Sequence, residues 1–195
     1  MSAEVGNAHI GLVVEGRGDA GALPVVLRKF LYEQEVYGDI LGKPIVANGI
    51  SNALRNNGIE GFVSVAAGRP GCKAVLVVLD SDDECVVERG QVLLERSGAI
   101  CAVPVVIALA DRTFEDWIYA SAETLELNLD FEASRRGMSE ISSSVKKVSG
   151  GAYVKPTWQP RLAHRMDLDL AAGRSSSLKR LLDRFDQIRN SVGIG

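Results

Sequence analysis

Val75-Leu76-Val77-Val78-Leu79-Asp80-Ser81-Asp82-Asp83-Glu84 is the stretch that decides the fold. Five aliphatic residues run unbroken and give way to four acids within five positions. A short apolar run with no polar alternation reads as a strand buried on both faces, the kind that fills a parallel sheet. In an open α/β sheet the ligand crevice lies just past the carboxyl ends of the strands, so these acids fall where chemistry is done. If extended geometry persists, Asp80 and Asp82 point to the same side. Two carboxylates so placed repel each other unless a cation lies between them. Oxygen ligands with few His or Cys nearby favour Mg²⁺ or Mn²⁺. The simpler reading is an acidic cap on the following helix. One acid would serve that purpose, and the cluster exceeds it.

Working outward, the pattern repeats. His9 to Glu15 is a second apolar strand that ends on a carboxylate. Gly16-Arg17-Gly18-Asp19 follows as a turn, and Leu23, Leu27, Phe30 and Leu31 then fall at helical spacing. This places a helix over about 21 to 35, with Pro24 acceptable only in its first turn. Lys43 to Ala47 suits a short strand, and Asn48 to Gly71, with five glycines, a short helix plus loop. Glu84 to Ser97 is helical in pattern. Ile100 to Ala110 is a further apolar run, with Pro104 marking an irregular or edge position. Asp111-Arg112-Thr113-Phe114-Glu115-Asp116-Trp117 opens a helix reaching about Ala122, with Thr113 as its N-cap. This alternation implies an α/β fold with a mainly parallel sheet flanked by helices.

From Glu123 the texture changes. Ser139 to Ser149 is rich in Ser and Lys, and Gly150-Gly151 and Pro156 to Pro160 read as loop. Leu178, Leu181, Leu182, Phe185 and Ile188 restore helical spacing behind Ser175 to Ser177. The expected organisation is a core over residues 5–122 and a helical elaboration over 123–195 packed on it as one domain.

Composition narrows the function. At 195 residues and 46% hydrophobic the chain is long enough for one sizeable core. A formal net charge of −3 gives no global basic field, so a nucleic-acid contact has to be local. Cys72, Cys85 and Cys101 show no C-x-x-C, which suits a reducing cytoplasm better than a disulfide scaffold or zinc ribbon. Met1 to Glu4 has neither a basic segment nor a signal-length apolar run, and no stretch approaches bilayer-spanning length.

Gly16-Arg17-Gly18-Asp19-Ala20-Gly21 is a literal G-x-G-x-x-G between a strand and a helix. Glu15 and Asp19 would repel a pyrophosphate there, and Asn48 stands where a ribose-binding acid is needed. The residues fit carboxylate chemistry better, because the glycines allow a sharp turn that returns Asp19 toward Glu15. A plain turn with a capping Asp19 is the competing reading.

A strand ending in Glu15-Gly16 and a later one ending in Asp80-Ser81-Asp82 resembles the Toprim domain of topoisomerases, bacterial primases, recombination factors and overcoming-lysogenization-defect nucleases. Asp19 is similar to an acid of the nuclease branch that helps bind a second metal. Glu15 to Arg28, Leu79 to Cys85 and Ala110 to Trp117 resemble, more narrowly, a family of bacterial Toprim-like proteins of this length. Tyr153, Gln159-Pro160, Asp167-Leu168 and Arg174 to Ser177 fit it too. Asp19 and Thr113 depart from it, standing where Glu is more usual.

The resemblance implies a divalent-metal-dependent nuclease acting on DNA or RNA and partnered by an ATPase of phage-defence systems. Mg²⁺ or Mn²⁺ is expected on Glu15, Asp19, Asp80 and Asp82, with Glu15, Asp80, Asp82 and Glu115 as the catalytic acids. Glu115 also suits the helix dipole, which is its simpler reading. Lys146 and Arg174 are the expected phosphate contacts, while most of the remaining cluster, Lys147, Arg161, Arg165, Lys179 and Arg180, reads as a solvated face. His9 and His164 lack metal-ligand spacing. The competing function is a non-catalytic adaptor or sensor that binds nucleic acid or an ATPase subunit. A homo-oligomer is compatible with either.

Overall fold

The computed structural model describes residues 6–195; Met1 to Glu4, and Val5 at the start of the expected core, lie outside them. Four parallel strands form one sheet: β1 (His9–Val14), β2 (Ile45–Val46), β3 (Cys72–Asp80) and β4 (Val105–Ala110), in the order β2-β1-β3-β4. Nine helices complete the described chain, with a 3-10 turn at Ala122–Thr124. They are α1 (Arg17–Glu33), α2 (Ile50–Leu54), α3 (Gly58–Ala67), α4 (Val86–Gly98), α5 (Phe114–Tyr119), α6 (Gly137–Ser149), α7 (Lys155–Arg165), α8 (Leu168–Arg174) and α9 (Ser176–Ser191). The result is a Rossmann-like α/β fold.

Strand alternation divides the core in two. Leu12, Val14, Leu76, Val78 and Ala108 face one apolar cluster, which takes in α1, α5, α7 and α9. Val13, Val75, Val77, Leu79 and Ile107 face the other, with residues of α2, α3 and α4. Because both faces are covered, the strands carry no polar alternation, which is why the apolar runs are unbroken. The chain leaves β1 for one neighbour, β2, and later adds β3 on its opposite side. The carboxyl ends of β1 and β3 therefore flank a switch point, the place where open α/β sheets bind ligands.

Several boundaries differ from the sequence reading. α1 begins at Arg17 because the Asp19 carboxylate accepts the Gly16 N–H at 2.8 Å, so Pro24 lies inside the helix rather than in its first turn. The segment from Asn48 to Gly71 holds two helices. Asn48 and Asn57 take left-handed backbone with φ of 59° and 56°, and Gly49 has φ 103°, which makes the turns between short apolar pieces. The Pro156 to Pro160 stretch is helical. Pro156 stands in the first turn, where no N–H is needed, and buried Gln159, Leu162 and Ala163 hold α7 to the rest of the chain despite Pro160. Leu181 and Phe185 have no exposed surface. Phe185 meets Phe30 of α1 edge-on at 6.2 Å. Among the described residues no helix is long and apolar enough to cross a membrane.

Candidate active site

Three strand ends meet at one rim. The Glu15 carboxylate, one residue past β1, accepts the backbone N–H of Asp80 at 2.8 Å. Asp80, the last residue of β3, accepts the N–H of Phe114 at 2.8 Å, which ties it to the start of α5 beyond β4. Thr113 and Asp116 fix that start: Asp116 accepts the Thr113 hydroxyl at 2.8 Å and its N–H at 3.1 Å. Between these two capping residues, Glu115 has no exposed surface.

Gln159 of α7 joins the remaining acids. Its Nε2 donates to Asp19 Oδ1 and to Glu115 Oε1, each at 3.0 Å. The Tyr153 hydroxyl donates to the same Glu115 oxygen at 3.0 Å. Lys155 Nζ lies 3.2 Å from Glu115 Oε2 in an ion pair outside hydrogen-bond alignment. Glu115 Oε2 and Gln159 Oε1 are consequently buried without a hydrogen bond. Gly18 is required for space here: a Cβ would stand 1.7 Å from Gln159 Oε1 and 2.9 Å from the Lys155 side chain.

Burial, joined by repulsion at Glu15 and Asp80, raises the pKa of three acids of this cluster. Asp80 is pushed up to about 9, first by desolvation and then by Glu15 and Asp19. Desolvation also raises Glu15, with Asp82 and Asp19 adding repulsion and the Asp80 N–H opposing it. Asp19 is raised by burial against the pull of the Gly16 N–H and Lys155. Burial raises the Tyr153 hydroxyl, and neighbouring Glu115 raises it further. For Lys155, burial alone would lower the pKa, but Glu115 and Asp80 outweigh it and keep the ammonium charged.

Of the expected site residues, Glu15, Asp19, Asp80 and Glu115 come together. Asp82 does not sit beside Asp80 as strand alternation would place it, because β3 ends at Asp80 and Asp82 is an exposed turn residue with φ 52°. It remains close enough to raise Glu15. Its turn is strapped down: the Ser81 and Asp82 N–H groups donate to Arg112 O, and Asp83 pairs with Arg112 and Arg136. Lys146 is exposed in the last turn of α6. Arg174 is committed elsewhere, 2.7 Å from Glu123 and over the Phe131 ring. The cleft it lines with Arg112 and Ser175 to Ser177 includes none of the four clustered acids.

Lys155 went unassigned in the sequence, and Tyr153 and Gln159 had no role there. One signal was legible. α7 has no acid in its first turn and opens on Lys155 instead, against the helix-dipole preference.

The donor chemistry fits a hard divalent ion, since every side chain at the rim offers oxygen except Lys155 and the Gln159 amide nitrogen. Among the described residues no three His, Cys, Asp or Glu side chains converge as a ready-made metal cage. Compared with known proteins, the chain matches no family model, no curated protein and no solved structure.

Proposed function

We propose that this chain is a divalent-metal-dependent Toprim-type nuclease of the cytoplasm. One observation carries the reading: Glu15 and Asp80 are locked together at the switch point, and both have pKa values raised by burial and neighbouring acids, so that a cation would favour their charged forms. Glu15, Asp80 and Asp82 would hold Mg²⁺ or Mn²⁺, with Asp19 serving a second ion. A bound ion supplies polarisation of the phosphodiester and a lowered pKa for water. Glu15 is the group suited to take up a proton, because its pKa is already raised. Lys155 offers a fixed positive charge to a phosphate entering the rim. The substrate is DNA or RNA, and the resemblance supplies an ATPase partner in phage defence.

A second reading, the non-catalytic adaptor, is favoured by a different observation. Lys155 already neutralises part of the cluster from within, and the acids do not converge as a cage. Calorimetric Mn²⁺ titration beside cleavage of plasmid and RNA separates the two. The nuclease takes up the ion, and Asp82→Asn weakens uptake and abolishes cleavage. Wild-type protein that binds no Mn²⁺ at millimolar concentration with substrate present rules out the nuclease and leaves the adaptor.

A further inference from the structure

α1 and α7 lie side by side and run in the same direction. Gly18 packs against Lys155 and Gln159, Gly21 against Pro160, and Lys29 reaches the Met166 carbonyl. Both helices therefore start at the acid rim and lead away from it together. Their outer faces differ from the rest of a chain whose net charge is −3. α7 carries Lys155, Arg161 and Arg165 and not one Asp or Glu. On α1, Arg17, Arg28 and Tyr32 are exposed along one stripe, since 11 and 15 residues are close to whole helical turns.

Some of these cations are opposed: Arg165 pairs with Glu126 at 3.1 Å, and Glu33 lies beside Arg28 and Lys29. Arg17 and Arg161 have no ion pair among the described residues. Arg28 faces Asp39 at 3.6 Å with both groups exposed, a pair of marginal strength. Aromatic surface is interleaved with the cations. The Arg161 guanidinium lies 5.8 Å from the centre of the Trp158 ring. Tyr32 and Tyr37, 53% and 72% exposed, lie 5.6 Å apart at the far end with their rings tilted by 37°. Beside α1 a hollow of about 590 Å³ is lined by Val25, Arg28, Lys29, Tyr32, Glu33 and His164, so one acid shares it with the cations.

We propose that the outer faces of α1 and α7 form a track for single-stranded nucleic acid, leading from the acid rim past Arg17, Arg161 and Arg28 to the Tyr32–Tyr37 pair. Cations beside a strand's backbone and exposed rings beneath its bases are the two things such a strand requires. A duplex offers no unstacked base to the hollow or to Tyr32. The stripe from Arg17 to Tyr32 is about 22 Å long at the helical rise, room for a short run of nucleotides. The inference rests on the nuclease reading for its placement at the rim, and it assigns the strand's path to surfaces other than Lys146 and Arg174.

Fluorescence anisotropy with fluorescein-labelled oligo(dT) and oligo(rU), in EDTA so that nothing is cut, tests it. Wild-type protein binds at least one of the two, and the tighter arm names the sugar. Arg28→Gln with Arg161→Gln raises Kd roughly tenfold or more and flattens the salt dependence by about 1.4 in log–log slope, two single-strand phosphate contacts. Tyr32→Ala weakens binding about fivefold or more. Lys147→Glu, exposed on α6 away from the track, leaves Kd unchanged. Circular dichroism melts of the variants should match wild type. Binding to neither strand, or variants that bind like wild type, overturns the track. Track-dependent binding by a protein that never cleaves upholds the track and sinks the nuclease instead.

Discussion

Replacing Asp80 with Asn should stabilise the metal-free protein, and by more the higher the pH. An unfolded chain releases this proton near the ordinary value of 3.8, whereas the folded protein holds it up to about 9. Between those limits the folded state carries one more proton at this position than the unfolded state. Stability is therefore intact below 3.8 and is lost steadily as pH rises toward 9. The slope for one proton is about 1.4 kcal/mol per pH unit, or about 4 kcal/mol between about pH 5 and pH 8. For a chain of this size that is roughly 8–16 °C in Tm. Asn keeps a carbonyl oxygen for the Phe114 N–H, so the substitution removes the charge and spares the contact. Glu123, which Arg174 holds down to about 2, does not intrude, because its contribution is complete above its ordinary 4.5. The assay is urea unfolding of both proteins in EDTA across that range. The stability gap should widen by about 1.4 kcal/mol per pH unit. Parallel curves would show that Asp80 ionises freely in the fold and would refute the reasoning.

Gln159→Leu should cost about 1–3 kcal/mol, because Asp19 and Glu115 both lose their shared donor inside the fold; a thermal melt unchanged from wild type would show that the bridge holds nothing. Phe185→Ala should cost about 3–5 kcal/mol by chemical denaturation, since the ring is fully buried against α1. A loss below about 1 kcal/mol would mean that α9 contributes little to the core.

The sheet was legible because its strands are buried on both faces. Val75 to Leu79 and Leu12 to Val14 have nothing polar to confuse the pattern, and the acids mark where each strand leaves the core. Glu15 and Asp80 followed from that, whereas Asp19 is legible in the glycine turn and Glu115 in the helix start after the next strand. Asp82 did not follow, because a left-handed turn directly after β3 breaks the alternation that D-x-D assumes. The prolines of α7 obscured a helix whose stability comes from Gln159, Leu162 and Ala163 packing rather than from propensity. Lys155, Tyr153 and Gln159 are 38 to 44 residues distant from their partner Glu115. No local spacing rule reaches across that interval, and only the parallel course of α1 and α7 brings them to the rim.

That parallel course also explains how four carboxyl groups share one small volume without unfolding it. The first turns of α1 and α5 donate backbone N–H groups into the cluster, from Gly16 to Asp19 and from Phe114 to Asp80. α7 brings its own positive end and adds Lys155 to it. A helix that placed an acid at that position, as dipole preference favours, would add a fifth negative group to the rim. The lysine is thus unfavourable for its own helix and favourable for the site. It holds Glu115 in place, while at Asp80 and Glu15 burial and repulsion outweigh its pull and leave both pKa values raised. Lys155 pairs directly with Glu115 but is outweighed at Glu15 and Asp80, and that imbalance marks the Glu15–Asp80 end as the place where an added cation would gain most.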